Sequence, residues 1–171
     1  LYFQEPDVAE RELEADIPAT LRKTYHGASG AAGPSERAFI SNKPRDATFL
    51  EGLHDPDPLP AWLTQEDLAY YAEQFRNSGF RGPLNRYRNV DPDWHELNEL
   101  QGQLITQPAL FIAGAADPVL SFIPGLDMVA LMDRFYVDLR GKVIVPGAGH
   151  WVQQEAPAAV NAAILPFLAA L

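Results

Sequence analysis

Two apolar runs in the back third of this 171-residue chain, Ala109 to Ala113 and Lys142 to Val145, show no alternation of apolar and polar side chains. Strands of that kind belong to parallel sheets, where helices cover both faces and alternation has no use. Gly114 and Pro118 end the first run. A helical pattern from about Pro124 to Leu139 leads to the second, and a final helix is predicted from about Pro157 to Leu171, with Pro166 weakening it. The order strand, helix, strand, helix makes the class α/β. It also poses a problem, since an independent parallel sheet usually needs about four or more strands. The front half has no comparable apolar run, so the pattern favours a piece of a larger sheet. Residues 94–171 are then one edge of that sheet, and residues 1–93 form a mostly helical, proline-punctuated unit.

Within the front unit, Asp7 and Glu10 have capping-box spacing, and Val8, Leu13, Ile17 and Leu21 follow at helical intervals. This predicts a helix from Asp7 to Tyr25, kinked or restarted at Pro18. Glycine, serine, proline and charge dominate Gly27 to Asp46, which reads as a surface loop. Thr64 and Asp67 mark the start of the clearest helix; Leu68, Tyr71, Ala72 and Phe75 share one face of it and Gly79 ends it. Pro83 in a first turn predicts a short helix through Tyr87, and Asp91 to Gln107 reads as a polar connection.

Composition excludes several classes. Thirteen basic against twenty-three acidic side chains give a formal charge of −10, which repels nucleic acid and anionic membranes. With no cysteine there is no disulfide, thiolate metal site or cysteine nucleophile. The longest apolar stretches, Pro108 to Ala116 and Ala162 to Leu171, are about half of a membrane span. No signal peptide is recognisable, and the cytoplasm is the expected compartment. His26, His54 and His95 show no HxxxH or HExxH spacing, and neither a phosphate loop nor GxGxxG occurs. Neither a metal nor another cofactor is expected.

In parallel α/β sheets, catalytic groups collect on loops beyond the carboxyl ends of strands. The first run is followed by GAADPV with Asp117, and the second by PGAGHWVQQEAP with His150. An imidazole oriented by a carboxylate is the usual base for activating a hydroxyl or water. Alone, Asp117 would be a cap and His150 one of four scattered histidines. Their paired placement at two strand ends favours a catalytic pair. No GxSxG-type elbow occurs in the chain.

The segment TQEDLAYYAEQFRNSGFRGPLNRYRN from Thr64 to Asn89, with LYFQEPDVAE at the start and GAGHWVQQEAP near the end, resembles the soluble epoxide hydrolases of the α/β-hydrolase superfamily. The resemblance spans nearly the whole chain and is weakest from Gly27 to Pro60; SGFRGPLNRYRN is its most specific part. It implies the C-terminal part of an α/β-hydrolase core in residues 94–171 and a helical cap in residues 1–93. In that family an aspartate opens the epoxide and becomes an alkyl ester, two cap tyrosines assist the leaving oxygen, and a histidine paired with an acid activates the water that releases the diol. Carried over, Tyr87 is a ring-opening tyrosine, His150 the water-activating base and Asp117 its orienting acid.

Trp151, Phe80 and Tyr2 are expected to line the pocket for a small apolar epoxide, whereas Tyr70, Tyr71 and Phe75 are read as one packed face. Arg76, Arg81, Arg86 and Arg88 are read as a solvated or ion-paired cluster, not as a phosphate site. The nucleophile elbow and the HGxP loop have no match here, which places the nucleophile and the second tyrosine upstream of Leu1, in a missing N-terminal half that is the implied partner. A homodimer is compatible with the composition but not required by it. The competing readings are a haloalkane or haloacid dehalogenase of the same fold, and an inert fragment or binding module without a nucleophile.

Overall fold

A computed structural model of the chain describes residues 5–36, 43–44 and 46–171. It divides into two compact units, one comprising Leu1–His26 and Asn42–Gln101, the other Gly27–Ser41 and Gly102–Leu171. By this division residues 94–101 fall with the first unit, and the described stretch from Gly27 to Glu36 falls with the strands.

In the first unit the predicted restart is present: α1 (Val8–Ala15) and α2 (Ile17–Gly27) are separated at Asp16. Pro18 sits in the first turn of α2, where its missing N–H costs no helical bond. Asp16 Oδ1 accepts the Ala19 N–H at 3.0 Å, and the buried Thr20 hydroxyl donates to the Leu13 carbonyl at 2.8 Å, so the break is capped from both sides. The capping box expected at Asp7 does not form. Asp7 adopts φ 69° with no side-chain cap and pairs with Arg81. Glu10 turns inward and pairs with Arg88.

At α3 (Gln65–Ser78) the predicted box is complete: the Asp67 N–H donates to Thr64 Oγ1 at 3.0 Å and the Thr64 N–H to Asp67 Oδ2 at 3.1 Å. Gly79, at φ 67°, ends the helix as only glycine does cheaply. Then come α4 (Arg81–Arg88) and α5 (Val90–Glu96), the latter where a polar connection was expected. No residue of α5 is buried, which removes the apolar period that would have revealed it. The core of this unit joins Ala9, Leu13, Ile17, Leu21, Leu68, Ala72, Phe80 and Leu84, with Tyr71 and Phe75 packed against it.

The second unit carries a parallel two-stranded sheet, β1 (Ala109–Gly114) and β2 (Leu139–Val145), in register from Leu110 opposite Gly141 to Gly114 opposite Val145. The helix expected from Pro124 to Leu139 is a single turn, α6 (Met128–Leu131), continued by a 3-10 turn. The Asp127 carboxylate caps it, accepting the Val129 and Ala130 N–H groups. The chain then straightens early, with Tyr136 bridging Ile105 before β2 begins. Two helices follow β2: α7 (Val152–Glu155) and α8 (Pro157–Ala169), which contains Pro166. Val145, Ala148, Val152 and Val160 form the core, with Ile112, Val143 and Ile164 against it.

The start of the expected surface loop turns inward, with Ser29 fully buried and Ala32 3% exposed, while Gly33, Pro34 and Ser35 beyond it are exposed. Glycine permits this: a Cβ on Gly30 would lie 1.9 Å from the Gly147 carbonyl oxygen, and one on Gly149 would lie 2.5 Å from Gly30 N. No helix among the described residues is long and apolar enough to cross a membrane.

Candidate active site

Asp117 sits just beyond the carboxyl end of β1, and His150 sits in the loop after β2. Parallel pairing brings these two ends side by side. Two backbone bonds lock the loops together, from the Ala115 N–H to the Val145 carbonyl and from the Ala116 N–H to the Ala148 carbonyl, each 2.9 Å. The close approach needs Gly114, whose Cβ would lie 2.3 Å from the carbonyl oxygens of Ala148 and Gly149.

His150 Nδ1 then lies 3.1 and 3.2 Å from the two carboxylate oxygens of Asp117. An ionised carboxylate only accepts, so the ring must carry its proton on Nδ1, leaving the Nε2 lone pair as its base. The Asp117 side chain is 13% exposed and the imidazole 41%. Asp117 Oδ1 also accepts the Val119 N–H at 2.9 Å, so the same carboxylate caps the turn that follows β1. The hydrogen bond to Asp117 raises the His150 pKa above its ordinary 6.5; partial burial opposes this, and the charges of Asp117 and Glu155 add to it.

Trp151 stands edge-on to the imidazole, with ring centroids 4.8 Å apart at 81°. Glu155, which the sequence reading passed over, accepts the N–H groups of Gly30, Gly149 and Trp151. Its only signal in the sequence is a carboxylate five residues after the histidine, and that spacing does not reveal its backbone partners.

The other candidates belong to the helical unit. Tyr87 is on α4 and 55% exposed; it lines a groove of about 550 Å³ with Val90, Trp94, Leu97 and Leu100. Phe80 is 8% exposed and stacks on Phe75 at 4.4 Å, within the core of this unit. Tyr2 lies outside the described residues. Tyr71 and Phe75 pack on the core as expected, while Tyr70 is 62% exposed. Arg76, Arg81 and Arg88 are ion-paired with Glu73, Asp7 and Glu10. Among the described residues no group of three or more histidine and acidic side chains is placed to hold a metal ion.

No family model matches the chain. It is 42% identical over 174 residues to epoxide hydrolase A of Mycobacterium tuberculosis, a match that covers 100% of this chain and 52% of the relative. An epoxide hydrolase from an endophytic Streptomyces matches its structure with a TM-score of 0.90 at 40% identity, covering 98% of this chain and 50% of that one. The chain belongs to the epoxide hydrolases of the α/β-hydrolase fold. Epoxide hydrolase A from Mycobacterium thermoresistibile matches with a TM-score of 0.86 at 44% identity over 98% of this chain. The chain spans about half the length of these epoxide hydrolases. The two-stranded sheet of the second unit is accordingly part of an α/β-hydrolase sheet.

Proposed function

We propose that this chain supplies the water-activating and ring-opening residues of an enzyme that hydrolyses a small apolar epoxide to a vicinal diol. Residues 94–171 serve as the C-terminal part of its core and residues 1–93 as its cap, apart from the Ala28–Gly30 stretch that is hydrogen-bonded to His150 and Glu155. A carboxylate from a part of the protein outside these residues attacks one epoxide carbon, the carbon–oxygen bond breaks, and the alkoxide takes a proton from the Tyr87 phenol. A phenol is a weak acid that can hand its proton to an alkoxide, which is a far stronger base. His150 Nε2 then removes a proton from water, the hydroxide attacks the ester carbonyl, the departing alkoxide of the diol takes that proton back, and the carboxylic acid so formed returns a proton to the Tyr87 phenolate. Asp117 keeps the imidazole in the required tautomer and stabilises its charged form. Trp151 lines the apolar side of the site.

The observation that carries this reading is the His150–Asp117 pair in a chain of the epoxide hydrolase family. The test is to treat the full-length protein carrying His150→Ala with an epoxide and weigh it intact. An accumulating covalent adduct supports the reading, and no adduct on the folded variant overturns it. Release of halide from a haloalkane, with no diol from epoxides, would assign the site to dehalogenation instead.

A further inference from the structure

Three consecutive backbone N–H groups around the histidine are individually held. Gly149 donates to Glu155 Oε2 at 3.0 Å and Trp151 to Glu155 Oε1 at 3.0 Å, while His150 itself donates to the Ala28 carbonyl at 2.9 Å. The same Oε2 accepts the Gly30 N–H at 2.7 Å. One half-buried carboxylate thus joins both residues flanking His150 to the short segment that receives the histidine's own N–H. A charged acceptor makes such bonds shorter and stronger than neutral ones. The glycines at 30 and 149 make the arrangement possible, because a Cβ on either would strike backbone of the other segment.

We infer that Glu155 is a positioning residue for His150: by clasping Gly149, Trp151 and Gly30 it holds the imidazole with Nδ1 on Asp117 and Nε2 facing a single direction. The inference rests on the reading of His150 as the water-activating base. Its physical ground is that a 41% exposed ring has room to swing off its carboxylate unless the backbone beneath it is fixed. Misplacement of a reacting group by about 1 Å can cost on the order of a hundredfold in rate. The acidic groups acting on the imidazole are Asp117 and Glu155 themselves.

The discriminating variant is Glu155→Gln, which keeps the shape but has a single acceptor oxygen, so it can serve Gly30 and Gly149 or Trp151, not both sides. In the full-length protein with isotope-labelled histidine, the His150 Nδ1–H should exchange with solvent about tenfold faster or more in this variant. Single-turnover hydrolysis of the alkyl-enzyme ester should slow by about ten- to a hundredfold while ester formation keeps its rate. A folded variant in which the Nδ1–H exchange and ester hydrolysis are both unchanged overturns the inference. So does a fall in the His150 titration midpoint without faster exchange, which would reduce Glu155 to a distant charge.

A second measurement needs no variant: the Gly149 and Trp151 amides should be protected from exchange in the wild-type protein, and exchange at open-loop rates would overturn the clasp. Faster Nδ1–H exchange in Glu155→Gln, with no covalent ester in either protein, would support the clasp and overturn the hydrolase reading.

Discussion

His150 Nδ1 stands 3.1 Å from Asp117 Oδ1, and that contact fixes both the tautomer of the imidazole and the direction in which its pKa moves. A raised pKa carries a definite sign. The pair's contribution to stability is complete below the ordinary histidine value of 6.5 and fades as pH rises through the higher folded value. The neutral ring needed for proton abstraction appears over that same rise, so ester hydrolysis should speed up with pH and level off above it. An NMR titration of the His150 ring should give a midpoint above 6.5, and Asp117→Asn should move it down. A midpoint that ignores Asp117→Asn would refute the assignment of the shift to this pair.

Acid should act on the helical unit through a different group. Arg88 donates to both carboxylate oxygens of the inward-facing Glu10, at 2.6 and 2.9 Å, and this pairing holds the Glu10 pKa down at about 2 from an ordinary 4.5. Stability from this pair is full above 4.5 and drains away as pH falls toward about 2. Urea unfolding at a series of pH values should show the loss in that window. Glu10→Gln should be less stable at neutral pH and flatter across it.

Tyr87→Phe removes only a hydroxyl from a residue that is 55% exposed, and the variant should remain folded. In the full-length protein the alkylation step should slow while ester hydrolysis stays near its wild-type rate. Rapid-quench kinetics separate the two steps, and an unchanged alkylation rate removes Tyr87 from ring opening.

Gly149→Ala introduces a methyl group 2.5 Å from Gly30 N and from the Ser29 carbonyl carbon. Both neighbours are backbone, so relief requires moving one segment off the other, at roughly 1–3 kcal/mol by the usual cost of overpacking. Thermal unfolding should report that loss. The His150 Nδ1–H signal should broaden with it, because the N–H groups around the ring are tied to the same segment.

The parts of the fold visible in the sequence are those where one residue type has one local use. Thr64 and Asp67 make their reciprocal bonds within four residues, Pro18 in a first turn costs no helical bond, and the two apolar runs without alternation pair as parallel strands. The parts that were not visible depend on partners far along the chain. Glu10 has the spacing of a capping box, yet it leaves Asp7 for an arginine 78 residues away. Ser29 lies in a stretch with the composition of a surface loop and is buried because glycines elsewhere lack side chains. α5 escaped notice because a helix with no buried residue shows no period. The contact between Asp117 and His150 was legible from their placement after two strands. Glu155 stayed hidden because the hydrogen bonds it accepts among the described residues come from the backbone N–H groups of Gly30, Gly149 and Trp151.

The backbone-to-backbone contacts at Gly30, Gly114 and Gly149 also divide the molecule into places that tolerate variety and places that do not. Side chains of any size are barred at all three positions, and Gly147 is held at φ 78°. The solvent face of α5, by contrast, buries nothing, and its Val90 and Trp94 border the groove beside Tyr87 together with Leu97 and Leu100. A directed-evolution library randomised at those four groove positions would keep most of its members folded, whereas one randomised from residue 147 to residue 149 would lose nearly all of them before any substrate was offered.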